Sequence, residues 1–145
     1  MDIKTYDKKP AACNCINLRR ASRAITQIYD DMLAPSGITI SQYGLLSHIS
    51  RLAPVSVSNL AAAIRLDRTT LVRNLKQLEE QGLVEDAAAK GTRNRQLRLS
   101  ELGDKTLADA RELWLKAQHF VEEYLGSEDL NTLINLLSKI EALVP

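Results

Sequence analysis

The chain has 145 residues, about one domain's length, with 45% hydrophobic and 26% charged residues and a formal net charge of +1. That balance excludes a disordered acidic tail, a collagenous chain and a wholly basic nucleic-acid coat. Only 4% of the residues are aromatic, so the core must be built from Leu, Ile, Val and Ala, which points to helices.

The near-neutral total hides an uneven distribution. Residues 1–64 carry seven Lys/Arg and four Asp/Glu, residues 65–100 eight and five, and residues 101–145 four and nine. A basic middle and an acidic end imply an anionic partner for the middle only. No apolar run approaches the roughly 18 residues of a membrane span, so no membrane partner is expected. The opening MDIKTYDKKP has no apolar stretch and does not read as a secretory signal. Cys13 and Cys15 are too close for an ordinary structural disulfide, which suggests a reducing, cytoplasmic setting.

In chain order, residues 11–33 read as a helix, with Ile16, Leu18, Ala21, Ile25, Ile28, Tyr29, Met32 and Leu33 mostly three or four apart. Pro35-Ser36-Gly37 stops it. Ser41 is the expected N-cap of a second helix running to about Leu52, with Tyr43, Leu46, Ile49 and Leu52 inward. Ser56 or Ser58 caps a short third helix, Val57 to Ile64. Asp67 caps a fourth, RTTLVRNLKQLEEQ, closed by Gly82 at the C′ position. Its buried stripe is Leu71, Val72, Leu75 and Leu78, and its opposite face offers Arg68, Thr69, Thr70, Arg73, Asn74, Lys76 and Gln77.

After Gly82 the period changes. Leu83-Val84-Glu85 and Gln96-Leu97-Arg98-Leu99 read as two strands joined by a polar loop, a hairpin with a basic end at Lys90, Arg93 and Arg95. Ser100 opens a long helix over 101–125, with Leu102, Leu107, Ala110, Leu113, Trp114, Ala117, Val121 and Tyr124 inward. A last helix starts at Ser127 and runs to about Leu143. Its Leu130, Leu133, Ile134, Leu136, Leu137, Ile140, Leu143 and Val144 cover more than one face, which predicts packing against a second chain.

Helix, helix, helix and two-stranded wing is the order of a winged helix-turn-helix. The fold class is therefore mainly α with a small β-wing. Its expected parts are an N-terminal helix (1–36), a winged DNA-binding domain (37–100) and C-terminal helices (101–145), the first and last forming a dimerisation domain. The fourth helix would enter the major groove, which admits one α-helix. Arg73 would grip a guanine edge or a phosphate; Thr69 and Thr70 are short donors near the helix start, and Arg68, Asn74 and Lys76 share the polar face. Ser56 and Ser58 would hold phosphate. Lys90, Arg93 and Arg95 would bring positive charge to the minor groove. A polar helix face taken alone is usually just solvated; here the face, the short helix before it and the basic hairpin occur in the right order.

The segment SVSNLAAAIRLDRTTLVRNLKQLEEQGLVED, with RQLRLSELG after it, resembles the multiple-antibiotic-resistance regulator (MarR) family. The matching elements are LA near the third helix, D-R-[ST]-T-x-x-R, L-E-x-x-G-L-V, and L-x-L-[ST]-x-x-G after the wing. The family's wing often carries D-x-R; here the match is Gly91-Thr92-Arg93, so the acidic residue is replaced. The resemblance implies a homodimer on an inverted-repeat DNA operator, and repression relieved by a small molecule or an oxidant.

Two sensors are open. The segment CINLRRASR resembles the start of the family's organic-hydroperoxide regulators. On that resemblance Cys15 stands where they hold a reactive cysteine and Tyr29 where they hold a tyrosine on the thiolate. Arg19 replaces their second tyrosine, and Cys13 is additional. A thiol at a helix start near Arg19 and Arg20 would be activated; the plainer alternative is that Cys15 is a small buried hydrophobe. The competing effector, also implied by the family, is a phenolic or benzoate-like acid in a cleft lined by Arg19, Arg20, Arg23, Tyr43 and His48, unless those arginines simply pair with Asp30 or Asp31.

No cofactor and no metal site are expected: thiols at i, i+2 do not share a helix face, and His48 and His119 fit no metal spacing. No nucleophile elbow, phosphate-binding glycine loop or zinc-protease motif marks an enzyme. The remaining rival is a helical adaptor that binds protein alone, against which the basic hairpin argues.

Overall fold

The computed structural model describes residues 3–89, 91 and 93–145. Its elements are α1 (Asn14–Leu33), a 3-10 turn (Ala34–Ser36), α2 (Ile40–Leu52), α3 (Val57–Ile64), α4 (Arg68–Glu80), β1 (Val84–Asp86), β2 (Leu97–Leu99), α5 (Glu101–Leu125) and α6 (Ser127–Glu141). This is the expected order of helices around a small wing. Lys90 and Thr92 lie outside the described residues.

Local chemistry explains most boundaries. Ser56, Asp67 and Ser100 each accept a backbone N–H three residues on, capping α3, α4 and α5. Gly82, with φ of 75°, supplies the left-handed residue past the end of α4. The second helix corrects the sequence reading: Thr39, not Ser41, is its N-cap. Thr39 and Gln42 form a reciprocal capping box, which satisfies two N–H groups where a lone serine would satisfy one.

The two strands pair antiparallel, with Val84 opposite Leu99 and Asp86 opposite Leu97. Val55 forms an isolated bridge to the other edge of β2, exchanging both backbone hydrogen bonds with Leu97 at 3.1 and 2.8 Å. The wing's root is thereby tied to the segment before α3.

The core is aliphatic. Leu33, Leu45, Leu46, Ile49, Leu60, Leu71, Leu75, Leu78 and Leu97 are fully buried, each contributing about 1.5–3 kcal/mol of apolar transfer. Tyr43 stacks on Trp114 with ring centroids 5.6 Å apart, bringing α5 onto the winged segment. Leu52, Val72, Leu102 and Tyr124 depart from the expected inward positions and are exposed. Val72 sits roughly a quarter-turn from the centre of the Leu71–Leu75–Leu78 stripe, at 100° per residue. The other three lie at or beside helix ends.

Two close approaches hold α5 to the wing. Ser100 Oγ donates to the Gly82 carbonyl at 2.5 Å while accepting the Gly103 N–H at 3.0 Å. Gly103 is buried so tightly that a Cβ there would stand 2.1 Å from the Leu83 carbonyl oxygen.

Candidate nucleic-acid interface

α3 and α4 are joined by a sharp turn. Arg65 takes the left-handed conformation, φ 58°, and the Leu66 N–H returns to the Ala61 carbonyl at 3.1 Å. Asp67 then opens α4: its carboxylate accepts the Thr70 N–H at 2.8 Å and the Thr70 hydroxyl at 2.6 Å. Those bonds, side chain first and backbone second, hold the Asp67 carboxyl below the usual carboxylate range.

The cap divides the two threonines. Thr70 is half-buried with its hydroxyl committed to Asp67, whereas Thr69 is exposed. Thr69, Arg73, Lys76 and Gln77 are exposed on the side of α4 away from Leu71, Leu75 and Leu78. Asn74 lies half-buried at the margin of this face. Arg68 turns back toward α3 and donates to Ser58 Oγ at 2.7 Å. Ser56 is half-buried, its hydroxyl accepting the Asn59 N–H.

In the wing, Arg93 is exposed. Arg95, also expected at the basic end of the hairpin, reaches back to α4, hydrogen-bonded to Glu79 and 3.6 Å from Asp86. Asp86 Oδ1 also accepts the N–H groups of Ala88 and Gln96 at 2.9 and 3.0 Å. Those backbone bonds push its carboxyl below the usual range, with the Arg95 charge adding to them.

The residues expected to form an effector cleft lie on two helices, α1 and α2. Arg19, Arg20 and Arg23 are exposed on α1. Tyr43 is in the core, and His48 Nδ1 is 2.7 Å from the Gly44 carbonyl one turn earlier. A shallow, open depression of about 180 Å³ lies between α1 and α2, lined by Ile25, Thr26, Tyr29 and Ile40. Tyr29 donates to Gln118 on α5; burial, then the Glu122 charge, push its phenol pKa up.

Cys13 is the N-cap residue of α1 and Cys15 lies in its first turn; within the single chain both are exposed free thiols. Fourteen residues of helix separate Cys15 from Tyr29, about 21 Å at 1.5 Å per residue, so the two do not meet within one chain. Among the described residues no group of three or more His, Cys, Asp or Glu side chains is placed to hold a metal, and no helix is long and apolar enough to cross a membrane.

A short helix, a capped second helix with a polar outer face, and a hairpin fastened beside it define a winged helix-turn-helix protein of the DNA-binding class. A model of the MarR family matches residues 36–93. The M. tuberculosis transcriptional regulator MosR, in a crystal structure with DNA, is 36% identical, with a TM-score of 0.76 over 92% of this chain and 99% of that one. A cysteine-to-serine mutant of E. coli MarR with operator DNA (22% identity, TM-score 0.76, 88% and 91% covered) shares the fold. So does the repressor CouR bound to p-coumaroyl-CoA (23%, 0.80, 89% and 91%). The chain belongs to the MarR family of transcriptional regulators. It is a DNA-binding regulator and not an enzyme.

Proposed function

We propose that two copies of the chain bind an inverted-repeat operator in double-stranded DNA as a repressor, and that a small molecule releases them. The observation that carries this reading is the outer face of α4, where Thr69, Arg73 and Lys76 are exposed together on a helix buried along its other side. Arg73 and Thr69 read base edges; Lys76, Arg68, Ser56 and Ser58 lie along the phosphates; Asn74 is at the edge; and Arg93 with Lys90 enters the minor groove. Residues 37–100 make the DNA-binding part, and 1–36 with 101–145 the dimerisation part. Ile134, Leu136, Leu137 and Ile140 on α6 are about half exposed, which supports coverage by a second copy. The family's work on DNA and the two free thiols support a cytoplasmic location.

For release, the apolar depression beside Tyr29 and Ile40 supports a small aromatic ligand, as does the p-coumaroyl-CoA bound by CouR. A second reading, favoured by the exposure of Cys13 and Cys15, is release by a thiol oxidant. In it, Tyr29 of one copy serves Cys15 of the other.

One binding experiment tests these readings, using DNA from just upstream of the chain's own gene. The protein is assayed reduced, then peroxide-treated, then with a panel of benzoates and phenols. Loss of binding with peroxide that Cys15→Ser abolishes assigns the thiol. Release by one aromatic acid, with peroxide inert, assigns the depression. Failure to bind any such DNA contradicts the operator reading.

A further inference from the structure

Two elements of a winged helix must stand at a fixed separation if one is to lie in the major groove while the other reaches the minor groove. We infer that Arg95 sets this separation: it is a positioning residue that clamps the wing to the recognition helix, and it does not itself bind DNA. The inference rests on the DNA-binding reading above and deepens it.

The geometry is a bridge between two elements. Glu79 lies on α4 one turn beyond the buried Leu75, on the same helix as Arg73 and Lys76. Asp86 ends β1 and holds the base of the hairpin through the Ala88 and Gln96 N–H groups. The Arg95 guanidinium reaches both carboxylates, Nη2 on Glu79 and Nε facing Asp86. About a third of each of these side chains is exposed, so the bridge is partly shielded from water. A planar fork with five donors suits two carboxylates at once, as an ammonium does not.

Charge argues against a direct phosphate contact. One cation between two carboxylates leaves the group with a net charge of −1, which repels a phosphate. Arg93 lies two residues away, within about 7 Å of extended chain, so the clamp also sets where Arg93 stands relative to Arg73. A loosened wing binds at the added entropic cost of ordering it.

The two roles predict opposite signs for one substitution. Glu79→Gln makes the protein more positive; if Arg95 touched DNA, freeing it would tighten binding. If Arg95 positions the wing, Glu79→Gln weakens binding about three- to tenfold, the cost of ordering a side chain or two. Arg95→Gln then weakens it equally, and the double variant is no worse than either. Dissociation constants on the upstream DNA decide this, and tighter binding by Glu79→Gln, or additive losses, overturns the inference. A second readout needs no DNA: in the free protein both variants should speed amide hydrogen exchange at Ala88 and Gln96 several-fold, and unchanged protection overturns the clamp. If the wild type binds none of the DNA, the operator reading fails while the exchange rates still judge the clamp.

Discussion

The carboxylate of Asp30, near the end of α1, accepts the backbone N–H of Ile40, the first residue of α2, at 2.8 Å. An acid ten residues upstream thus satisfies one of the N–H groups that a helix start leaves open. The bond joins α1 to the winged segment at the edge of the Tyr29 depression. Asp30→Ala is expected to destabilise the protein by about 1 kcal/mol, the worth of a lost cap. Urea unfolding measures it, and a midpoint equal to wild type would show the bond to be inconsequential.

Gly103 has no room for a methyl group, and the nearest obstacle is backbone. Gly103→Ala must move the start of α5 off Leu83. A cost of about 3 kcal/mol or more is expected, at the upper end of overpacking. Denaturant unfolding of the alanine variant checks this, and a loss under about 1 kcal/mol would contradict the close approach.

The Asp67 cap carries a sign in pH. Its carboxyl pKa is depressed in the folded protein, chiefly by the Thr70 hydroxyl and then by the Thr70 N–H. Its contribution is therefore fully present above the unfolded value and lost as pH falls through the folded one. Between about pH 5 and pH 3, wild type should lose more stability than Asp67→Asn, which keeps a capping oxygen that does not titrate. Parallel pH profiles for the two proteins would remove the cap from the account.

Much of this was legible because the signals are local. Ser56, Asp67 and Ser100 each stand three residues before the N–H they accept, and Gly82 marks the end of α4. Thr39 was equally local; Gln42 three residues on was the capping-box signal that separated it from Ser41. What was not legible is long-range. Glu79 and Arg95 are sixteen residues apart, and nothing in the spacing says that a basic hairpin residue turns inward. Tyr43 reads as inward from its helix alone, but its pairing with Trp114, seventy-one residues on in α5, does not follow from that helix. Periodicity gave the centre of each buried stripe but not its width, so Val72 fell on the wet side.

The apolar surface of α6 predicts that the folded species is a dimer. Sedimentation at micromolar concentration should find no monomer, and Leu137→Glu should abolish the dimer by burying a charge. A monodisperse, folded wild-type monomer would contradict the dimer reading.

Arg73 is exposed on the outer face of α4, so its loss should be felt by DNA and not by the fold. Arg73→Ala is expected to weaken operator binding by about 1–3 kcal/mol with an unchanged melting temperature. Unaltered affinity would mean that the reading face lies elsewhere.

The most direct test of the central claim is the salt dependence of binding to the upstream DNA. If the basic face of α4 and the wing lie along phosphates, affinity should fall by about 10³-fold or more between about 50 and 200 mM salt, as the release of condensed counterions becomes less favourable. An affinity that stays flat across that range would contradict a nucleic-acid interface and return the chain to the class of protein-binding helical adaptors.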